Sequence, residues 1–110
     1  MSKFDEAIEA YKAELTELKI DVNEELLREI TKGLGPSIYL KDASLVSCSD
    51  QSELDRVKKN FLIGKLGISD EESMDSALKA VCEQYKANHR KRAVFYYLLV
   101  INLKKESLFI

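Results

Sequence analysis

The sequence predicts an all-α fold, a compact orthogonal bundle of five or six helices around a buried C-terminal helix, and three observations carry that prediction. Apolar residues recur at intervals of three and four along most of the chain. Cap-forming residues, each followed three positions later by a glutamate, punctuate those stripes. The longest apolar run, Ala93 to Ile101, is nine residues and has no evident partner strand elsewhere. A helix that is apolar on every side belongs at the centre of a fold. The 110 residues suit one domain, 1–110, and 45% hydrophobic with 33% charged residues allow a core under a solvated surface.

Phe4, Ile8, Tyr11, Leu15 and Leu18 form the stripe of a first helix, with Ser2 as its cap and Asp5 and Glu6 at the positive end of its dipole. Glu6, Glu9, Glu14 and Glu17 make its other face wet and acidic. Asp21 with Glu24 reads as the start of a second helix, whose apolar face is Val22, Leu26, Leu27 and Ile30 and whose closing residue is Gly33. Pro36 ends that segment and opens a short turn of helix through Ser37, Ile38 and Tyr39. Residues 41–49 connect, with Leu45 and Val46 pinned to the core.

Asp50 with Glu53 starts the next helix, with Leu54, Val57 and Phe61 as its buried stripe. Leu62 and Ile63 spread apolar surface around that helix, so either its end is buried on several sides or it stops at Gly64. Gly67 closes the segment. Ser69 with Glu72 starts another helix carrying Met74, Ala77, Leu78, Val81, Cys82 and Tyr85. Asn88 then caps a last helix from Arg92 to about Lys105. Its apolar run has no period and fits a buried strand as well, but its length and the lack of a partner strand favour a helix.

Three segments, Lys32-Gly-Leu-Gly-Pro-Ser-Ile-Tyr39, Arg56-Val-Lys-Lys-Asn-Phe-Leu-Ile-Gly-Lys-Leu-Gly67 and Arg92-Ala-Val-Phe-Tyr-Tyr-Leu-Leu-Val100, taken together and in that order, resemble a small bacterial family. It is the one catalogued as domain of unknown function 2853. The resemblance spans nearly the whole chain and implies an all-helical, cytoplasmic protein. That family has no assigned activity, so the resemblance brings no functional residue with it.

The residue inventory narrows the chemistry. One histidine and two cysteines cannot supply a Cys₄, Cys₂His₂ or His₃ zinc site. No Glu-x-x-His pair, phosphate loop or Gly-x-Ser-x-Gly elbow occurs, and Gly33-Leu-Gly35 lacks the third glycine of a dinucleotide fingerprint. No catalytic residue, metal or cofactor is therefore expected. The N-terminal segment has no apolar signal core and no run reaches the roughly 20 residues of a membrane helix, so the expectation is a soluble, cytoplasmic protein. Two cysteines make no disulfide framework. Cys82 reads as a small buried hydrophobe. Cys48, just before a helix start, is a minor candidate for a redox or nucleophilic role that Asp50 opposes.

His89-Arg-Lys-Arg92 breaks a local rule. Cations at a helix N-terminus oppose its dipole, at about 0.3–1 kcal/mol each when exposed. Residues 1–31 carry four basic and nine acidic side chains, whereas residues 86–110 carry six basic and one acidic. The plainer explanation is pairing of Arg90, Lys91 and Arg92 with acidic helices, within one chain or across a dimer. The sharper one is an anion site at the helix start. Its nucleic-acid version adds Lys58, Lys59 and Lys65 as phosphate contacts and Tyr96 or Tyr97 as stacking surfaces, and the net charge of −2 disfavours it. His89 itself reads as an exposed loop residue. The Gly33–Ser37 turn offers a small backbone nest for an anion, although a helix stop and a proline start explain its residues. Leu108, Phe109 and Ile110 either dock back onto the helices or meet a second subunit. The functional expectation is a non-catalytic protein-interaction module or homodimer. The alternative is an anion or nucleic-acid binder built on His89, Arg90, Lys91, Arg92 and Lys58.

Overall fold

Helix α1 (Lys3–Glu17) starts as its sequence predicts: the Ser2 hydroxyl accepts the Asp5 amide at 3.1 Å, and Ile8, Tyr11 and Leu15 are buried. The computed structural model describes residues 2–41, 44–87 and 90–110. Helix α1 closes on Lys19, whose φ of 61° is left-handed, and the Ile20 amide donates back to the Leu15 carbonyl at 3.0 Å.

Helix α2 (Glu24–Leu34) is capped by Asn23, whose side chain accepts the Leu26 amide at 3.2 Å, and not by Asp21. The reason lies in a distant side chain. The buried Tyr97 hydroxyl donates to the Asp21 carbonyl at 3.0 Å and accepts the Asn23 amide at 2.9 Å, which ties the approach to the helix into the core. Val22 consequently sits before α2, and Leu26, Leu27 and Ile30 form the buried face. Gly33 is an interior residue of α2; the left-handed residue that ends it is Gly35, at φ 63°. Pro36 opens a 3₁₀ turn, Gly35–Tyr39.

The connector contains a strand after all. Leu45–Val46 (β1) pairs antiparallel with Arg90–Lys91 (β2), Leu45 opposite Lys91 and Val46 opposite Arg90. A two-residue ladder leaves the fold class all-α, and it pins the connector through Val46, which is 3% exposed.

Helix α3 (Gln51–Val57) has the expected cap, with Asp50 accepting the Ser52 and Glu53 amides at 3.0 and 3.4 Å. It widens into a π turn, Lys58–Ile63. That extra width carries both Phe61 and Leu62 into the core and leaves Ile63 outside. The helical segment ends at Ile63 with Gly64 as its C-cap, as one of the two expectations had it; Gly64 keeps right-handed backbone, and the left-handed residue is Gly67 at φ 69°. Helix α4 (Glu71–Gln84) starts after Asp70, not Ser69, and buries Met74, Ala77, Leu78 and Val81. Tyr85 follows it, also buried.

Helix α5 (Arg92–Asn102) settles the ambiguous run as helix, with every residue from Ala93 to Val100 buried. It follows directly from Lys91; Asn88, the expected cap, lies outside the described residues. It ends at Asn102 rather than near Lys105, because Lys104 turns left-handed at φ 57° and the Lys105 amide closes onto the Val100 carbonyl at 3.0 Å. A 3₁₀ turn, Glu106–Leu108, follows. Helix α5 packs against α1, α2 and α4, so the four share one hydrophobic cluster with Phe95 and Tyr97 at its centre. Each such side chain contributes about 1.5–3 kcal/mol by burial.

Candidate functional site

The basic start of α5 is drawn inward. Arg90 turns back to the end of α4, its Nε donating to the Tyr85 carbonyl at 2.6 Å and its Nη2 to the Cys82 carbonyl at 3.3 Å. These are carbonyls at a helix C-terminus, where a cation is favourable. Lys91 forms an ion pair with Glu14 of α1, and its backbone amide donates to the Tyr85 hydroxyl at 2.9 Å. That hydroxyl in turn donates to Glu14. Burial, followed by the bond to Glu14, pushes the Tyr85 phenol well above its ordinary range. Glu14 is thus no part of a wet acidic face.

Among the described residues Arg92 holds neighbours on three elements, α3, β1 and α5. Its guanidinium donates to Glu53 of α3 at 2.5 Å, to the Leu45 carbonyl of β1 at 3.0 Å and to the Tyr96 hydroxyl at 3.1 Å. It also lies 5.7 Å from the Tyr96 ring centre, on a ring stacked against Phe61 at 3.9 Å. Burial raises the Glu53 carboxyl, but hydrogen bonds from Arg56 and Arg92 and their charges outweigh it and leave the group below its ordinary value. Lys58 bridges from the π turn to α4, 2.8 Å from Glu71 and 2.9 Å from Asp75. The hydrogen bonds it donates to those two carboxylates, Glu71 first, raise its ammonium.

The candidate residues are therefore not gathered into one basic surface. Arg90 turns to the C-terminal end of α4, Lys91 to α1, Arg92 to α3 and β1, and Lys58 to the first turns of α4, and His89 lies outside the described residues. Tyr96 and Tyr97 are buried, so neither presents a face for a base to stack on. The cations that contradict the α5 dipole are compensated by acidic groups 39 and 77 positions away.

Of Leu108, Phe109 and Ile110, only Phe109 docks back onto the helices. Phe109 lies against the core and lines an apolar groove of about 200 Å³ with Ile30, Leu34, Phe61 and Tyr96. Leu108 and Ile110, on either side of it, are 55% and 47% exposed.

The cysteines depart furthest from expectation. Cys48 and Cys82 are disulfide-bonded, their Cα atoms 6.0 Å apart across a sequence separation of 34. Cys82 is therefore not a lone buried hydrophobe, and Cys48 is not a free thiol. Both are half-buried and line a cleft of about 440 Å³ between α3 and α4, together with Gln51, Leu54, Lys58, Leu78 and Lys79. No local motif marks this pairing, because neither cysteine's neighbours in sequence specify the other. Among the described residues no group of three His, Cys, Asp or Glu side chains is placed to hold a metal ion, and no helix is long and apolar enough to cross a membrane.

A protein-family model described as Protein of unknown function (DUF2853) matches residues 10–107, in keeping with the resemblance read from the three segments. No curated protein matches the chain.

Proposed function

We propose that this chain, which belongs to the DUF2853 family of unknown function, works by binding and not by catalysis, as a cytoplasmic homodimer or protein-interaction module. The observation that carries the reading is the pair Leu108 and Ile110, two large apolar side chains more than 45% exposed around the docked Phe109. Exposed apolar side chains grouped on one surface mark interaction sites more often than scattered ones do. Ile63, on the same π turn as the groove residue Phe61, is a further exposed apolar side chain at 47%. Self-association is the form to test first, since it needs no second component.

Sedimentation velocity across a concentration series, with native mass spectrometry, supplies the test. The wild-type chain should sediment as a dimer, and Leu108→Ser with Ile110→Ser should shift it to monomer without changing its helical circular dichroism. A wild-type chain that stays monomeric throughout the series overturns the self-association reading. The alternative, an anion or nucleic-acid binder, draws less support because Arg90, Lys91, Arg92 and Lys58 are engaged by groups of their own chain. Binding that steepens at low salt and disappears on charge reversal at Arg90 and Lys91 would restore it.

A further inference from the structure

We propose that the Cys48–Cys82 bond is a thiol-exchange site, at which a small-molecule thiol entering the cleft between α3 and α4 cleaves the bond and opens that cleft. This does not rest on the interface assigned to Leu108 and Ile110, which are not among the residues of the cleft.

The bond joins two walls that few other links hold together. Cys48 precedes α3 by a short turn and Cys82 lies in the last turn of α4, so the disulfide closes one end of the cleft. At the other end Lys58 reaches across to Glu71 and Asp75, whose side chains are 76% and 62% exposed. Lys58 itself is 16% exposed, but pairs whose carboxylates are that open to water contribute little, so the covalent bond is the strong fastening of the two. Between the ends lie Leu54 and Leu78, one from each wall. With the bond cut, α3 keeps Val57 in the core and Glu53 on Arg92, while the residues before it lose their tie to α4. The packing of α5 against α1, α2 and α4 does not pass through the disulfide, so the opening is local and not global.

The site is also reachable. Exchange requires access to a sulfur, and both cysteines line the 440 Å³ cleft. Lys79, one turn before Cys82 on α4, lines the cleft too, and with Lys58 it balances the carboxylates of Asp55 and Asp75, so the lining carries no excess negative charge against an incoming thiolate.

The chemistry balances with a thiol as the only co-reactant. A small-molecule thiolate attacks one cysteine sulfur, a new sulfur–sulfur bond forms there, and the Cys48–Cys82 bond breaks. The other cysteine sulfur leaves with the electron pair and takes a proton from water. A second small-molecule thiolate then attacks the small-molecule sulfur of that mixed disulfide; the small-molecule disulfide forms, and the cysteine sulfur leaves with the electron pair and takes a proton, giving the dithiol protein. The oxidised small molecule drives the same steps in reverse.

The probe is glutathione, reduced and oxidised. Thiols of the folded wild-type protein are alkylated and counted by intact mass after equilibration in glutathione buffers, and amide hydrogen exchange is followed in parallel. The expected result is a bond that opens in native buffer, with exchange at residues 47–57 accelerated about tenfold or more and α5 unchanged. Cys48→Ser and Cys82→Ser should each form a mixed disulfide with glutathione through the remaining cysteine. Should either variant fail to fold, the reduced wild-type protein carries the test on its own. A bond that resists excess reduced glutathione until denaturant is added, or that opens with no change in exchange before and within α3, overturns the proposal. So does a protein purified without reductant whose two thiols are both free.

Discussion

Arg92 and Glu53 stand 39 positions apart in the chain and 2.5 Å apart in the fold, with side chains only 17% and 13% exposed. This contact reconciles a basic residue at the start of α5 with the helix dipole that opposes it. The same guanidinium fastens β1 through the Leu45 carbonyl, so one side chain links α3, β1 and α5.

Replacing Arg92 by Met should therefore destabilise the fold by about 2–4 kcal/mol, because it strands a largely buried carboxylate and a carbonyl. Arg92→Lys should recover only part of that loss, since a single ammonium cannot reproduce the guanidinium fork. Arg56 also bonds to Glu53, at 2.7 Å, but its side chain is 65% exposed, and Arg56→Ala should cost less than about 1 kcal/mol. Urea unfolding of the three variants checks the ranking. An Arg92→Met loss no larger than that of Arg56→Ala would show the contact to be an ordinary surface pair.

Two glycines should respond to alanine with opposite signs. Gly33 lies within α2 with open space where a Cβ would stand, so Gly33→Ala should stabilise by about 0.5–1 kcal/mol. At Gly64 the added Cβ would sit 2.8 Å from the Asn60 carbonyl oxygen, a backbone atom drawn close by the π turn. Gly64→Ala should cost about 1–3 kcal/mol despite helical backbone. Thermal and urea midpoints of the pair decide this; a stabilised Gly64→Ala would mean that the π turn relaxes to an ordinary α-helix at no cost.

Stability should fall off on both sides of a broad plateau. Asp5, Glu24, Asp50 and Glu53 are held below their ordinary values by Arg28, Lys12, Ser52 and, against the opposing effect of burial on Glu53, by Arg56 and Arg92. A carboxyl whose pKa is lowered by folding contributes stability that is present above its unfolded value and is lost as pH falls through the folded one. The acid limb should therefore begin below about pH 5. Burial raises Tyr11 to about 12, and raises Tyr85 further. Groups raised by folding contribute stability that is present below the unfolded pKa and is lost as pH climbs, so the alkaline limb should begin above about pH 10. Urea midpoints against pH measure both limbs. Glu53→Gln should flatten the acid limb, and an unchanged acid limb in that variant would remove Glu53 from the account.

Much of the fold was legible in the chain. The stripes of α1, α2 and α4 follow a period of 3.6, and the run from Ala93 to Ile101 is too apolar to lie anywhere but the centre. Ser2 and Asp50 were readable as caps because each is the obvious acceptor at its helix start. Where two cap-forming residues stand close together, as with Asp21 and Asn23 or Ser69 and Asp70, local energies differ too little to choose between them. At the first of these places Tyr97 decided, from 74 positions away. The end of α5 escaped notice for a related reason: a lysine, Lys104, takes the left-handed position where glycine would have given a signal.

The candidate site divides along the same line. Composition and periodicity determined the fold class, the central helix and the conflict of charge at Arg90–Arg92, because hydrophobic burial and helix dipoles act over a few residues and leave a local imprint. Only the tertiary structure decided how that conflict is resolved, through Glu14 and Glu53, that Phe109 docks while Leu108 and Ile110 stay exposed, and that Cys48 meets Cys82. Ion pairs, disulfides and edge packing depend on distances between segments far apart in the chain. Those distances are set by how the helices pack on α5, and no window of neighbouring residues contains them.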